Sequence, residues 1–193
     1  MSGPTTKDTS TLALGLAKVS VLASAANIAN PYPAAAAGDS LGALTKSLLT
    51  LDFEFWKHMA GFPQKEDYNV CLSKAAKIEA DAEELTPFNM ALASGIDPTT
   101  YTNVHSGMIP LGALSSSAYI RAELQYVFPS GSYKMDVIFP RAQCSNSISA
   151  DFQAKENIKV PLSIESKNAE STVSGGHAVW DIAPLGRMWF GTV

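Results

Sequence analysis

Three histidines, two cysteines and a run of alternating carboxylates are the residues whose types could carry chemistry in this chain. His58, His105 and His177 are widely spaced and none opens an H-E-x-x-H. Cys71 and Cys144 lack the C-x-x-C spacing that would complete a zinc site. Ser, His and Asp fall close together in HSG (105–107) and in SGGHAVWD (174–181), the ingredients of a nucleophilic triad. No G-x-S-x-G elbow accompanies them, and polar loops often bring these three types together by chance. Glu79, Asp81 and Glu83 recur at every second position, which on a strand makes one acidic face. Calcium needs ligands converging from several directions, and general acid–base work needs burial to shift a carboxyl; neither is indicated for this row. The phosphate-cradling patterns G-x-x-x-x-G-K-[ST] and G-x-G-x-x-G do not occur. These residues therefore predict no enzyme, no metal and no cofactor.

The elements around them must come from a chain of 193 residues, a length that suits one domain (1–193) with a sizeable core. Hydrophobic content of 46% and charged content of 17% are those of an ordered protein. The net charge of −4 argues against a protein that grips nucleic acid by its phosphates, although it leaves room for a wall past which DNA slides. The two cysteines form no disulfide framework and are expected as small buried side chains. TLALGLAKVSVLASAANIA (11–29) is apolar, but the leader before it is nearly neutral and Lys18 interrupts it. That excludes a secretory signal by pattern and falls short of a membrane span; a first strand with a bulge or twist near Lys18 is expected instead.

Periodicity then divides the chain. Residues 24–65 show no sustained period, are broken by Pro31, Pro33, Gly38 and Gly42, and carry Phe53, Phe55, Trp56 and Phe62. A long loop that needs a partner surface is expected, with a short strand or hairpin arm hidden where Leu51, Phe53 and Phe55 alternate with Asp52 and Glu54. From 75 to 95 the residues are helix formers, yet Ala76, Ile78, Ala80 and Ala82 alternate strictly with Lys77, Glu79, Asp81 and Glu83. A helix running through Pro87 would lose a hydrogen bond and clash one turn back, at about 3 kcal/mol. The stretch therefore splits into a strand to about residue 84 and a short helix over 87–94. Thr86 caps that helix, Gly95 ends it, and Phe88, Ala91 and Leu92 form its docking face.

The second half reads as β-structure. AYIRAELQYVF (118–128) and YKMDVIF (133–139) form a hairpin across PSGS, with Ile120, Ala122, Leu124, Tyr126 and Phe128 facing in and Tyr119, Arg121, Glu123 and Gln125 facing out. A polar strand over 141–153 and an alternating one with Val160, Leu162 and Ile164 inward follow. The Gly-rich end carries Trp180, Trp189 and Phe190, which should pack onto something. Seven or eight strands and one short helix make a mainly β, β-sandwich or barrel-like domain.

Several stretches together resemble the major tail tube proteins of tailed bacteriophages: GPTTKDTSTLALGLAKVSV, GFPQKEDYNVCL, AAKIEADAEELTPFNMALASGIDP, AYIRAELQYVFPSGSYKMDVIFPRAQ, VPLSIESKNA and SGGHAVWDIAPLGRMWF. Their order and spacing extend from about Gly3 to Phe190, and they are fold-determining patterns without a catalytic signature. The resemblance implies a tail-tube fold of packed β-sheets with one short flanking helix and a long inter-subunit loop (24–65). An N-terminal arm (1–10) and a C-terminal arm (171–193) complete the domain. It implies a structural virion protein, made in the host cytoplasm, that assembles with itself into hexameric rings stacked as a tube. Tape-measure, baseplate or tail-initiation and tail-terminator proteins would be its partners, DNA would be only a transiting passenger, and no membrane span is expected.

On that basis Glu79, Asp81, Glu83 and Glu123 are candidates to line an acidic lumen, with Lys77 and Arg121 on the same faces diluting the charge. Phe53, Phe55, Trp56, Phe62, Trp180 and Trp189 are candidates for inter-subunit contacts. The alternative from the residues alone is a monomeric β-sandwich binding module, for carbohydrate or a host surface, with Trp56, Trp180 and Trp189 as its aromatic platform.

Overall fold

Strict alternation at Ala76–Ala82 becomes a strand, and that strand organises the sheet. The computed structural model describes residues 15–62, 65–103, 105–111, 118–145 and 158–193. Among them, seven strands form one antiparallel sheet: β1 (Lys18–Ala23), β2 (Leu44–Ala60), β3 (Lys65–Ala82), β4 (Ile120–Val127), β5 (Tyr133–Cys144), β6 (Val160–Ser166) and β7 (Arg187–Thr192). The hydrogen-bonded order is β1-β4-β5-β6-β3-β2. β7 joins β5 from the side, Tyr133 opposite Thr192 and Ile138 opposite Arg187. The fold is mainly β, as the alternation predicts.

The sheet curls. At one end of the path the Ala17 amide donates to Ser47 Oγ at 2.9 Å, tying the entry of β1 to the start of β2 and giving the barrel-like form. Ile78, Ala80 and Ala82 of β3 are fully buried inside the curl with Val19, Leu124 and Ile164. The helix α2 (Pro87–Ala93) closes one end of this core with Leu92 and Ala93. Thr86 Oγ1 accepts from the Asn89 amide at 3.2 Å, and Gly95 past the helix end adopts φ +71°, as expected for a residue that must take the left-handed conformation there. A single turn, α1 (Ser24–Asn27), also forms where no helix was expected.

Several expectations change. The 24–65 segment is a loop only to about residue 43, because Leu44–Ala60 is a 17-residue strand paired with β3 along its length. Its alternation at Leu51–Phe55 was a hidden arm of a long hairpin. The expected polar strand over 141–153 is, to Cys144, the continuation of β5; residues 146–157 lie outside the described ones, as does the N-terminal arm 1–10. The strand signal over 11–23 is met by β1 from Lys18, with 11–14 outside the description. Cys144 is buried as expected, whereas Cys71 is half-buried because its part of β3 projects beyond the core.

Trp180 is not on an inter-subunit surface. It is fully buried with Ile138 and Ala169 in a second, smaller core on the other face of β5, and its indole N–H donates to the Ile28 carbonyl at 2.5 Å. Residues 171–186 wrap this ring, and 187–192 pair with β5. The C-terminal segment is thus part of the body of its own chain, because Trp180 packs against Ile138 of β5 and β7 pairs with β5.

Candidate assembly surface

The ladder between β3 and β6 runs from Ala82 only to Lys77. Beyond Ala76 the β2–β3 hairpin leaves the body, and every residue from Leu51 to Met59 is exposed. It is a two-stranded ribbon with no core on either face. Aromatic and β-branched content makes the sequence strand-forming, but an isolated two-stranded hairpin is marginal in water. Cross-strand contacts help to hold it: Lys74 lies over the Phe53 ring at 5.8 Å and Ser73 Oγ donates to Glu54 at 3.0 Å, while along β2 itself the Trp56 and His58 rings meet at 5.7 Å. Register shifts at Glu54/Phe55 and His58/Met59 twist it further. Four of the expected contact residues, Phe53, Phe55, Trp56 and Phe62, are brought together on this ribbon, and Phe62 is fully exposed at its turn. Trp189 is elsewhere, half-buried on β7 beneath Lys134 Nζ at 5.3 Å.

Where the hairpin diverges from β7 a notch of about 130 Å³ opens, lined by Leu51, Phe53, Ala76, Val137, Phe139 and Met188. Among the described residues, β7 has a ladder partner only in β5, and β2 only in β3. Among the described residues the sheet therefore leaves open the outer edge of β2 beyond Ser47, the other edge of the ribbon along β3 from Lys65 to Ala76, and the outer edge of β7. Sequence reasoning missed Met188 and named Phe190 only among terminal aromatics that should pack, whereas both are exposed here; their alternation with Arg187, Trp189 and Gly191 was a usable signal.

The carboxylates divide. Glu79 and Asp81 share the outward face of β3 with Lys77, and Glu83 follows the strand end; all are half-buried. Glu79 is bracketed by Lys77 Nζ at 2.6 Å and Lys46 Nζ at 2.9 Å. Hydrogen bonds and charge from Lys77 and Lys46 pull its pKa down from 4.5 to about 2, and Glu79 raises that of Lys77. Beside them on β6, Glu165 is lowered by its hydrogen bonds from Lys167 and Ser145. The face is therefore one of matched charges, with Asp81 and Glu83 outside any ion pair among the described residues.

Glu123 departs from expectation. It is buried, not on an open face, because residues 27–35 fold over β4. Its carboxylate accepts from the Ala34 and Ala35 amides at 3.0 Å and from Arg121 Nε at 2.7 Å. Arg121, fully buried, donates from Nη1 to the carbonyls of Asn27 and Asn30 at 2.8 and 2.6 Å and from Nη2 to that of Tyr32 at 2.5 Å. These two side chains satisfy loop backbone groups that would otherwise be orphaned.

The triad ingredients do not converge. His177 Nδ1 accepts from the Val179 amide at 3.3 Å, capping a short turn, while the Asp181 carboxylate accepts from Ser171 N and Oγ. No group of three metal-ligating side chains occurs among the described residues, and no helix among them is long and apolar enough to cross a membrane. A cleft of about 390 Å³ lies between β1 and α2, lined by Leu41, Glu84, Thr86, Phe88, Thr99 and Tyr101. No protein-family model matches the chain, and no curated protein matches it.

Proposed function

We propose that this chain is a self-assembling structural subunit of a phage tail tube, working as a conduit wall and not as a catalyst. One observation carries the proposal: beyond Leu51 the 17-residue strand β2, with an open outer edge, projects from the body in a hairpin that exposes Phe53, Phe55 and Trp56 on the strand and Phe62 at its turn. Edges of this length and apolarity invite pairing with another chain, and a folded monomer would normally blunt them. Assembly into a closed ring removes the edges and buries the aromatics in one step. The resemblance of the sequence patterns to tail tube proteins supports stacked hexameric rings as the form. It also supports tape-measure, tail-initiation and tail-terminator proteins as partners, and the virion as the site of function.

The matched charges of the β3 face fit a wall that DNA passes without binding. Phosphate contacts that release counterions need unpaired Lys or Arg, and here Lys46 and Lys77 are engaged by Glu79. The binding-module alternative loses one member of its platform, since Trp180 is buried. Electron microscopy of the purified full-length protein, with sedimentation, tests the proposal. Rings or hollow tubes are expected, alone or on addition of tail-initiation proteins; a monomer under both conditions would overturn it.

A further inference from the structure

The cleft between β1 and α2 has a wall of two kinds. Leu22, Leu41, Phe88 and Tyr101 give it an apolar side, while Asp39 and Glu84 bring its only charges among the described residues, both negative. At about 390 Å³ it falls in the range of small-molecule sites, which are concave, mainly apolar and furnished with a few placed polar groups. Leu41 and Glu84 flank the Leu44–Ala82 pair, so the cleft sits at the end of the β2–β3 hairpin away from the exposed ribbon.

Local structure fixes both carboxylates and leaves each with an unused acceptor. Asp39 Oδ2 accepts from the Ala36 amide at 2.7 Å, and Glu84 Oε1 accepts from the Ala43 amide at 3.0 Å. Neither residue has an ion-pair partner among the described residues, so Asp39 Oδ1 and Glu84 Oε2 remain available. Gly42, at φ +83°, makes room for the Glu84 carboxylate, which a Cβ at that position would strike. Several hydroxyls of the wall are already spent. Thr99 Oγ1 donates to Asp97 at 2.7 Å and the Tyr101 hydroxyl donates to the Met108 carbonyl at 3.2 Å. The charged atoms left over are acceptors, and they call for a ligand that brings donors.

We infer that this cleft binds an aliphatic polyamine, with ammonium groups on Asp39 and Glu84 and the methylene chain against Leu41 and Phe88. An ammonium carries donors and no acceptor, the complement of this wall. Its charge offsets two carboxylates that share one cleft, and the aromatic surface of Phe88 and Tyr101 favours a cation over a neutral chain. A neutral polyol would leave both charges uncompensated and would need donors from the wall as well as acceptors. A divalent metal is a poorer match, since no three metal-ligating side chains meet among the described residues. The inference rests on the cleft alone and is independent of the self-assembly proposed above.

Saturation-transfer difference NMR on the full-length protein tests the site in monomer or assembly alike, with putrescine and spermidine as probes at low ionic strength. Saturable transfer to the methylene protons is expected for both amines, and none for the neutral diol of the same chain length as putrescine. Asp39→Asn and Glu84→Gln should each weaken binding about three- to fivefold, the scale of a partly exposed ion pair, and their combination about tenfold. The new amide oxygens can still accept from Ala36 and Ala43, and thermal unfolding checks that each variant stays folded. The diol comparison is made on wild type and does not depend on them. Asp81→Asn combined with Glu83→Gln removes two carboxylates outside the cleft and should leave binding unchanged. No saturable transfer from either amine, equal transfer to the diol, full affinity in the Asp39 and Glu84 variants, or equal weakening by the Asp81 and Glu83 changes would overturn the inference. Each of these results leaves the proposed assembly untouched.

Discussion

Arg121 and Glu123, two residues apart on β4, form an ion pair with Nη2 to Oε1 at 2.6 Å and almost no solvent contact, at 0% and 3% side-chain exposure. Alternation puts both on one strand face, where a sequence reading expects solvent. The chain instead folds residues 27–35 over them and uses the guanidinium and the carboxylate as its anchors. The segment before β2 is therefore fixed onto the body within one subunit, and only the ribbon beyond Leu51 is left without a core.

Removing one member of this pair strands the other as a buried charge. Arg121→Leu is expected to lose about 3–5 kcal/mol of stability, the range for breaking a buried pair by deleting one partner. Denaturant unfolding measures the loss. Glu123→Gln should also speed amide exchange at Ala34 and Ala35. Protection unchanged at those two amides would mean that the carboxylate does not hold the loop.

Glu79 sets an acid dependence. Its folded-state pKa is depressed to about 2 by Lys77 and Lys46 from an ordinary 4.5. Its stabilising contribution is therefore fully present above about pH 4.5 and is lost as the pH falls toward 2. Thermal unfolding across that window should show a smaller decline for Glu79→Gln than for wild type, with the difference closing at the acid end. The pair is partly exposed, at 28% for Glu79 and 47% for Lys46, so solvent screening keeps the effect small. Equal declines would assign the acid sensitivity to other carboxylates.

The tryptophans report burial separately. Trp180, buried beside Ile138, should emit at short wavelength and resist acrylamide in every state, whereas Trp56 on the ribbon should be quenched in the monomer and protected in assemblies. Trp180→Ala is expected to cost about 3–5 kcal/mol, the range for large-to-small changes in a core. Trp56→Ala should leave monomer stability within about 0.5 kcal/mol, as for an exposed position, and weaken assembly. Loss of assembly without loss of stability in Trp180→Ala would reverse these assignments.

Gly186, at the entrance to β7, adopts φ +136°, and an added Cβ would lie 2.1 Å from the Ile138 carbonyl oxygen. Gly186→Ala should destabilise the subunit by about 1–3 kcal/mol from backbone strain alone, with further loss if β7 detaches. Differential scanning calorimetry reads the effect; an unchanged Tm would show that the entrance to β7 tolerates rearrangement.

Local pattern revealed what local physics controls. The β3 alternation, the Thr86 cap, Pro87 and the β4–β5 hairpin were legible because each depends on residues adjacent in sequence or across a tight turn. The burial of Glu123 was not, since it depends on a loop about 90 residues away in sequence folding over the strand; the contacts span |i−j| of 88 and 89. Trp180 was misassigned for the same reason: its partner carbonyl, Ile28, is 152 residues away. The β2 strand was half legible. Its exposed outer part alternates cleanly from Leu51, but Pro31, Pro33 and the glycines before it hide where regular structure begins.

Excision of the ribbon separates folding from assembly. Leu51 and Ala76 are cross-strand partners at the point where the hairpin leaves the core, so replacing residues 52–75 with a two-residue Asn-Gly turn rejoins β2 and β3 in register. The removed segment contributes no residue to either core, and Ile78, Ala80 and Ala82 keep their places. Cooperative unfolding with a Tm close to that of the intact subunit is expected, because the ribbon buries little apolar surface within its own chain. Assembly should be abolished, since the exposed aromatics and the Leu51–Ala60 edge go together. Sedimentation and electron microscopy of the shortened protein under conditions that assemble wild type make the comparison. Rings of normal diameter from the shortened chain would assign lateral contact to another surface and leave the ribbon a role, if any, between stacked rings.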